Sequence, residues 1–228
     1  LPERYLILDV SADLRQRQRQ LLEERAPQLV SRVAWLDALP AVFNGLILGN
    51  EVLDAMPVQM VAWRGADLFE RGVVWRDGAF RWSERKLTGG ELYRCATRLP
   101  PMHAAHSQEY LSEIALAASG FAATLADNLE RGAMLFIDYG FGESEYYHPQ
   151  RFQGTLMCHY RHQAHDDPFY LPGLQDITAH VDFSAIAQRG VAHGLQLLGY
   201  TTQANFLLNC GLTDILAPES DIHLLTDG

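Results

Sequence analysis

The sequence predicts an α/β fold with a mostly parallel sheet. The first observation is a set of short apolar runs that each end at a carboxylate. Tyr5–Leu8 ends at Asp9, Gly45–Leu48 runs into Gly49-Asn50-Glu51, and Ala133–Ile137 ends at Asp138. The second is that segments of helical periodicity alternate with these runs, the pattern of βα units. The third is the unbroken Leu-Ile-Leu core of the Gly45 run, which suits a strand buried on both faces of a parallel sheet. Ligands of open α/β sheets sit outside the carboxyl ends of the strands. Acids at several such ends therefore point to a shared site.

Taken in order, Tyr5–Val10 reads as a buried strand, and Ser11 is placed to cap the helix that follows, with Asp13 in its first turn. Leu14, Leu21 and Leu22 mark that helix's apolar stripe to about Arg25. Val33–Leu36 and Gly45–Glu51 are strands. After Pro57 the character changes. Val58–Trp63 reads as a strand, and Val73–Trp82 alternates around Asp77-Gly78, a hairpin signal. A hairpin is foreign to a plain α/β winding, so about 57–106 is predicted to be an insertion or side-sheet within a single domain spanning 1–228. Ser107 is predicted to open a long helix through Tyr110, Ile114, Ala117, Phe121, Leu125 and Leu129, ending near Gly132. Strands follow at Ala133–Asp138 and Thr155–Tyr160. Asp182 caps a helix to about His193, closed by Gly194. Leu195–Thr202 reads as a late strand and Ala204–Cys210 as a short helix.

The stretch from Leu135 to Asp182 is the richest in binding chemistry. It holds Tyr146, Tyr147, His148, Arg151, His159, Tyr160, Arg161, His162, Gln175, Asp176 and His180. A long loop of this composition inside a compact domain is functional rather than disordered.

Bulk properties exclude some classes. The net charge of −10 argues against a nucleic-acid backbone or an anionic membrane as the main partner. No apolar run approaches the ~20 residues of a membrane span. Three widely spaced cysteines without a C-x-x-C pair suit reduced thiols in a cytosolic or equivalent compartment. No P-loop, complete G-x-G-x-x-G or nucleophile elbow is present. His159, His162 and His165 have a suggestive spacing, but the surrounding residues look extended, so loop histidines making hydrogen bonds are expected and no metal. Asp9 is either a turn and cap acid or an acceptor for vicinal ribose hydroxyls. Asn50-Glu51 with Asp54 is either a capped turn or a polar site, because polar groups at a buried strand end cost desolvation unless partnered.

Longer motifs carry a resemblance. Asn50-Glu51-Val-Leu-Asp54-Ala-Met-Pro57-Val, Ile137-Asp138-Tyr139-Gly140-Phe141, Glu145-Tyr-Tyr-His-Pro-Gln-Arg151, Gly154-Thr-Leu-Met-Cys-His-Tyr-Arg-His162 and Gly173-Leu-Gln-Asp-Ile-Thr-Ala-His-Val-Asp-Phe183 resemble the MidA-like family of S-adenosylmethionine-dependent methyltransferases over nearly the whole chain. That family includes the mitochondrial protein arginine methyltransferase that assists respiratory complex I assembly. The resemblance implies a Rossmann-like class I methyltransferase fold, S-adenosylmethionine as cofactor, and symmetric dimethylation of arginine in a protein partner. It further implies a cytoplasmic location for a bacterial protein, or the mitochondrial matrix for a eukaryotic one, and is compatible with a homodimer. It also implies a first strand and glycine-rich loop ahead of Tyr5, lying between the Asp9 and Asn50 strands, and further strands beyond Gly228.

Carried over by residue, Asp9 would hold the ribose and Trp35-Leu36-Asp37 would lie beside the adenine; Ser11 and Asn50 are assigned to the cofactor with Asp9, Leu36 and Asp37. Glu51 and Asp54 would grip a guanidinium as paired carboxylates, and His180 would take the released proton. Asp138, Tyr139, Tyr160 and Asp182 would support the substrate. The rival readings are a catalytically silent assembly factor on the same fold and a small-molecule methyltransferase.

Overall fold

The computed structural model describes residues 2–99 and 109–216. The chain packs as two compact units, Leu1–Gly45 with Asn128–Arg131, and Leu46–Asp127 with Gly132–Gly228.

In the first unit β1 (Tyr5–Leu8) pairs in parallel with β2 (Val33–Leu36), Tyr5 opposite Val33 and Leu8 opposite Leu36. Helix α1 (Ala12–Arg25) connects them through a 3-10 turn at Pro27–Arg32. It begins where predicted because Ser11 Oγ accepts the Leu14 amide at 3.2 Å, satisfying one of the orphan donors of the first turn. β3 (Phe43–Asn50) starts in this unit, and Asn44 Nδ2 donates to Glu130 there at 2.8 Å.

The second unit is built on an antiparallel sheet of β4 (Gln59–Arg64), β5 (Asp67–Arg76), β6 (Ala79–Lys86) and, after α2 (Gly90–Arg98), β7 (Tyr110–Ile114), in the order β6-β5-β4-β7. The predicted Asp77-Gly78 hairpin is present. Both residues have positive φ, 53° and 75°, as a two-residue hairpin turn with right-handed strand twist requires. Val61, Trp63, Leu68, Leu87, Leu92, Tyr110, Tyr146 and Tyr147 pack into one core cluster against this sheet. Each fully buried aliphatic of this kind contributes roughly 1.5–3 kcal/mol.

Helix α3 (Leu116–Asn128) and β8 (Leu129–Ile137) follow, and β8 neighbours β3. The small residues Ala118 and Ala122 let α3 approach closely in a second cluster with Leu53, Val181 and Ile186. The region after Asp138 is less of a loop than predicted. It holds β9 (Gly140–Phe141), α4 (Glu143–Tyr146), β10 (Met157–Tyr160), β11 (Gln163–His165), β12 (Asp176–Thr178) and β13 (Val181–Asp182). β10, β11 and β12 form an antiparallel sheet, and β13 pairs in parallel with β9. Helices α5 (Phe183–Ala192), α6 (Gln203–Asn209) and α7 (Leu212–Leu216) complete the described chain. Among the described residues no helix is long and apolar enough to cross a membrane.

The structure corrects several expectations. The sheets are mixed rather than mostly parallel, and the largest is antiparallel throughout. Tyr110 and Ile114 belong to a strand, not to the predicted helix, whose proposed start at Ser107 lies outside the described residues. Their i, i+4 spacing fits either period, and pairing along β4 decides the matter. Strand β8 begins at Leu129 rather than Ala133. Residues 195–202 form no strand. Tyr5, Leu8, Leu46 and Leu48 are exposed, where burial was expected. Among the described residues β1 pairs with β2 alone and β3 with β8 alone, so there each has a ladder on one side only.

Candidate functional site

The turn after β3 is the organising feature of the second unit. Glu51 has φ +49°, a left-handed conformation that costs a non-glycine residue about 1–2 kcal/mol. Several contacts hold it there. The Glu51 amide donates to Ile137 O at 2.9 Å. The Tyr139 hydroxyl donates to Glu51 Oε1 at 2.8 Å. The amides of Val52, Leu53 and Asp54 converge on Asp138 Oδ2 at 3.2, 2.9 and 3.3 Å, and Asp138 Oδ1 accepts the Tyr139 amide at 2.8 Å. Successive amides in such a turn make an anion-binding concavity, filled here by the protein's own carboxylate. Asp138 is thus committed to backbone donors and shapes the turn.

A cleft of about 1180 Å³ opens beside this turn, and Glu51, Asp54, Tyr139, Asp176 and His180 all line it. Asp54 is only 7% exposed, and its Oδ1 makes no hydrogen bond among the described residues. Burial pushes its pKa up, aided by the charges of Asp138, Glu51 and Asp176 and opposed by the Ala55 amide. Asp54 O accepts the Ala179 amide at 3.0 Å, which fixes the residue preceding His180 against the turn. The His180 amide donates to Thr155 Oγ1 at 3.0 Å, and its ring meets Phe141 edge-on at 5.1 Å. Burial, and then the Arg151 charge, lower its pKa, favouring the neutral imidazole. Its Nδ1 is buried without a partner among the described residues.

Sequence reasoning missed Glu113. It is 1% exposed, and its carboxyl accepts the Thr155 amide at 2.9 Å, the Leu156 amide at 3.1 Å, the Thr155 hydroxyl at 3.2 Å and the Tyr146 hydroxyl at 3.3 Å. Burial raises its pKa against these bonds. Glu113 therefore anchors the cleft wall at Thr155 and Leu156, and through Thr155 it positions His180. A helical period over Tyr110–Ile114 gives no sign of its burial, and strand alternation gives none either, since Ser112 and Ile114 are buried alongside.

The other predicted residues separate. Asp182 does not line the cleft; its Oδ1 caps α5 by accepting the Ala185 amide at 3.1 Å. Burial lifts its pKa to about 6. Tyr160 also lies outside the cleft lining and packs edge-on against Tyr170 at 6.0 Å. Asn50 is exposed at the end of β3. His159 and His165 sit on opposite faces of the β10–β11 hairpin, since Cys158 pairs with His165 and His159 with Ala164. Among the described residues no group of His, Cys, Asp or Glu is arranged to hold a metal ion.

In the first unit, Asp9 accepts the Ser11 amide and Gln18 Nε2, each at 2.9 Å, and the Trp35 indole donates to Gln18 Oε1 at 2.9 Å. Asp37, next to half-buried Leu36, is engaged by Arg15 at 2.8 Å.

The cleft is lined by several acids and opens beside the turns that follow β3 and β8. A family model described as "Putative S-adenosyl-L-methionine-dependent methyltransferase" matches residues 2–201, and the chain belongs to that family. It is similar to the crystal structure of a "likely methyl transferase" from Burkholderia thailandensis bound to S-adenosyl-homocysteine, at 53% identity and a TM-score of 0.88, covering 96% of this chain and 55% of that one. A native crystal structure of an uncharacterized protein from the same organism matches at 52% identity and a TM-score of 0.86, covering 96% and 57%. The chain thus spans little more than half the length of these relatives and shares their α/β methyltransferase fold. No curated protein matches it.

Proposed function

We propose that this chain is part of an S-adenosylmethionine-dependent methyltransferase whose acceptor is an arginine side chain of a protein. The observation that carries the acceptor is Asp54 Oδ1, a buried carboxylate oxygen without a partner among the described residues, in a cleft that Glu51 and Asp176 also line. An unpaired buried charge is costly, and a cationic donor relieves the cost. A guanidinium suits the place because its fork of N–H groups serves two carboxylates at once.

The first unit fits part of the cofactor by its donor chemistry. Asp9 accepts two hydrogen bonds, and a carboxylate has about four acceptor sites, so acceptor capacity remains for vicinal hydroxyls. Ser11 holds the turn that presents Asp9, and half-buried Leu36 offers apolar surface beside Asp37. Asn50, exposed at the end of β3, is a further candidate for the cofactor. When bound, S-adenosylmethionine supplies a methyl group on a positive sulfur.

Glu51 and Asp54 orient the guanidinium and concentrate lone-pair density on one nitrogen. Tyr139 holds Glu51 in place and walls the cation with its ring. Asp138 positions the whole turn. His180, neutral and with Nδ1 free of partners among the described residues, takes the proton that the methylated nitrogen releases. Tyr160 and Asp182 act from outside the cleft. The MidA-like resemblance extends the reading to symmetric dimethylation and to a respiratory complex I subunit as the protein partner.

The test is incubation of the intact protein with methyl-labelled S-adenosylmethionine and cell extract, followed by mapping of labelled residues. Label on arginine of a protein supports the reading. Label only in small molecules favours a small-molecule methyltransferase, and no label with cofactor bound favours a silent assembly factor.

A further inference from the structure

The β5–β6 hairpin turns an aromatic face to solvent. Val73 pairs with Trp82 and Trp75 with Phe80, so strand alternation puts all four on one side. Val73 is 52% exposed, Trp75 65%, Phe80 41% and Trp82 39%. Trp75 meets Phe80 edge-on at 4.9 Å, and Phe169 joins the group at 5.0 Å from Trp82 and 6.4 Å from Phe80. A contiguous exposed apolar patch on a well-formed sheet marks an interaction surface.

This face runs directly into the cleft. The next pair on the same side is Arg71 opposite Glu84, and Arg71 and Trp82 both line the cleft. Arg71 is satisfied by Glu84 and Glu109 at 2.7–2.8 Å, and Arg151 lies 4.1 Å over the Phe141 ring. Glu51, Asp54, Asp166 and Asp176 outnumber Arg151, whose charge the Phe141 ring does not cancel, and set an acidic character.

We infer that this face docks the polypeptide segment flanking the methyl-accepting arginine, an extended segment that carries a large apolar residue, aromatic for preference, a few positions away. The inference rests on the arginine reading of the cleft and adds what that reading leaves open, a sequence requirement around the target. A free guanidine compound would satisfy the carboxylates and leave the aromatic face bare. A second copy of this chain, with a net charge of −10, would bring like charge to an acidic cleft. A basic, aromatic-bearing segment answers both surfaces at once.

The test follows the indole N–H signals of Trp75 and Trp82 by NMR in the intact protein. Three Gly/Ser-based peptides are titrated: one with a single Arg and a displaced Phe, one with the Arg alone, and one with the Phe alone. The Arg–Phe peptide should shift both indoles and bind about tenfold tighter than the Arg peptide, the scale of one aromatic anchor. A Trp75→Ala, Phe80→Ala double variant should lose that advantage and keep its affinity for the Arg peptide. Equal affinity for the two Arg peptides, or an advantage that survives in the double variant, overturns the docking face alone. A Phe peptide binding as tightly as the Arg–Phe peptide overturns the arginine reading beneath it. Indole shifts that depend on protein concentration without peptide would assign the face to self-association and overturn the inference.

Discussion

The Tyr139 hydroxyl donates to Glu51 Oε1 at 2.8 Å, joining the residue that follows β3 to one that follows β8 across 88 positions of sequence. Neither side chain is buried, so the bond serves orientation more than folding. The hydrogen bond and the Glu51 charge raise the Tyr139 pKa, keeping the phenol protonated as a donor.

Replacing Glu51 with Gln keeps the shape of the turn and removes the charge that orients a guanidinium. The expected fall in kcat is about a hundredfold or more, the scale of one preorganised electrostatic contact. Tyr139→Phe should lower kcat less and leave the thermal midpoint unchanged. Steady-state kinetics with the labelled protein substrate, beside calorimetry, measures both; near-normal turnover in folded Glu51→Gln removes Glu51 from the mechanism.

Asp54 must be ionised to grip a cation, yet burial raises its pKa. The acid limb of kcat/KM should therefore lie above the ordinary aspartate range. For an acid whose folded pKa is raised, the stabilising contribution is present below the unfolded pKa and is lost as pH rises through the folded one. Asp54→Asn should accordingly abolish activity without lowering stability at pH 8, read by kinetics and urea denaturation. A marked loss of stability there would make Asp54 a structural residue.

Asp182 gives a sharper pH signature, with a folded pKa of about 6. Its stability contribution should fade as pH rises from the normal aspartate range through about 6. Asn caps helices as well as Asp. Asp182→Asn should thus be more stable than the parent at pH 8 by up to about 3 kcal/mol, with the difference closing near pH 4. Parallel denaturation curves at all pH values would contradict this.

Gly154 has φ +79°, and an added Cβ would overlap Glu113 Oε1 and lie 3.0 Å from its carboxyl carbon. Gly154→Ala should destabilise by about 2 kcal/mol or more through strain and a disrupted buried network. It should also reduce turnover, because Thr155 would no longer hold the His180 backbone. Chemical denaturation and kcat on the same preparation test the pair of effects, and an Ala variant normal in both would refute the anchor.

Protein purified without an affinity tag should show no stoichiometric zinc by elemental analysis. His159 and His165 lie on opposite faces of their hairpin, so the regular spacing does not converge. An equimolar metal signal lost on mutating His159 and His162 together would reverse this.

What the sequence by itself determined was local. Ser11, Asp182 and the Asp77-Gly78 pair specify caps and a turn through bonds and torsions within a few residues, and each stands where it was read. The acids at strand ends were legible too, because an apolar run that stops at a carboxylate is a local pattern. Tertiary structure decided which acids meet. Asp138 joins the turn of Glu51 and Asp54 through amides some 85 positions away, and Asp9 is held by Ser11 and Gln18. It also decided that Tyr110–Ile114 is a strand, since its spacing suits both periods and only the ladder with β4 separates them. Glu113 shows the limit most clearly. A glutamate looks like a surface residue in sequence, and it takes the amides of Thr155 and Leu156 and the hydroxyls of Thr155 and Tyr146, brought to it from more than 30 positions away, to make its burial tolerable.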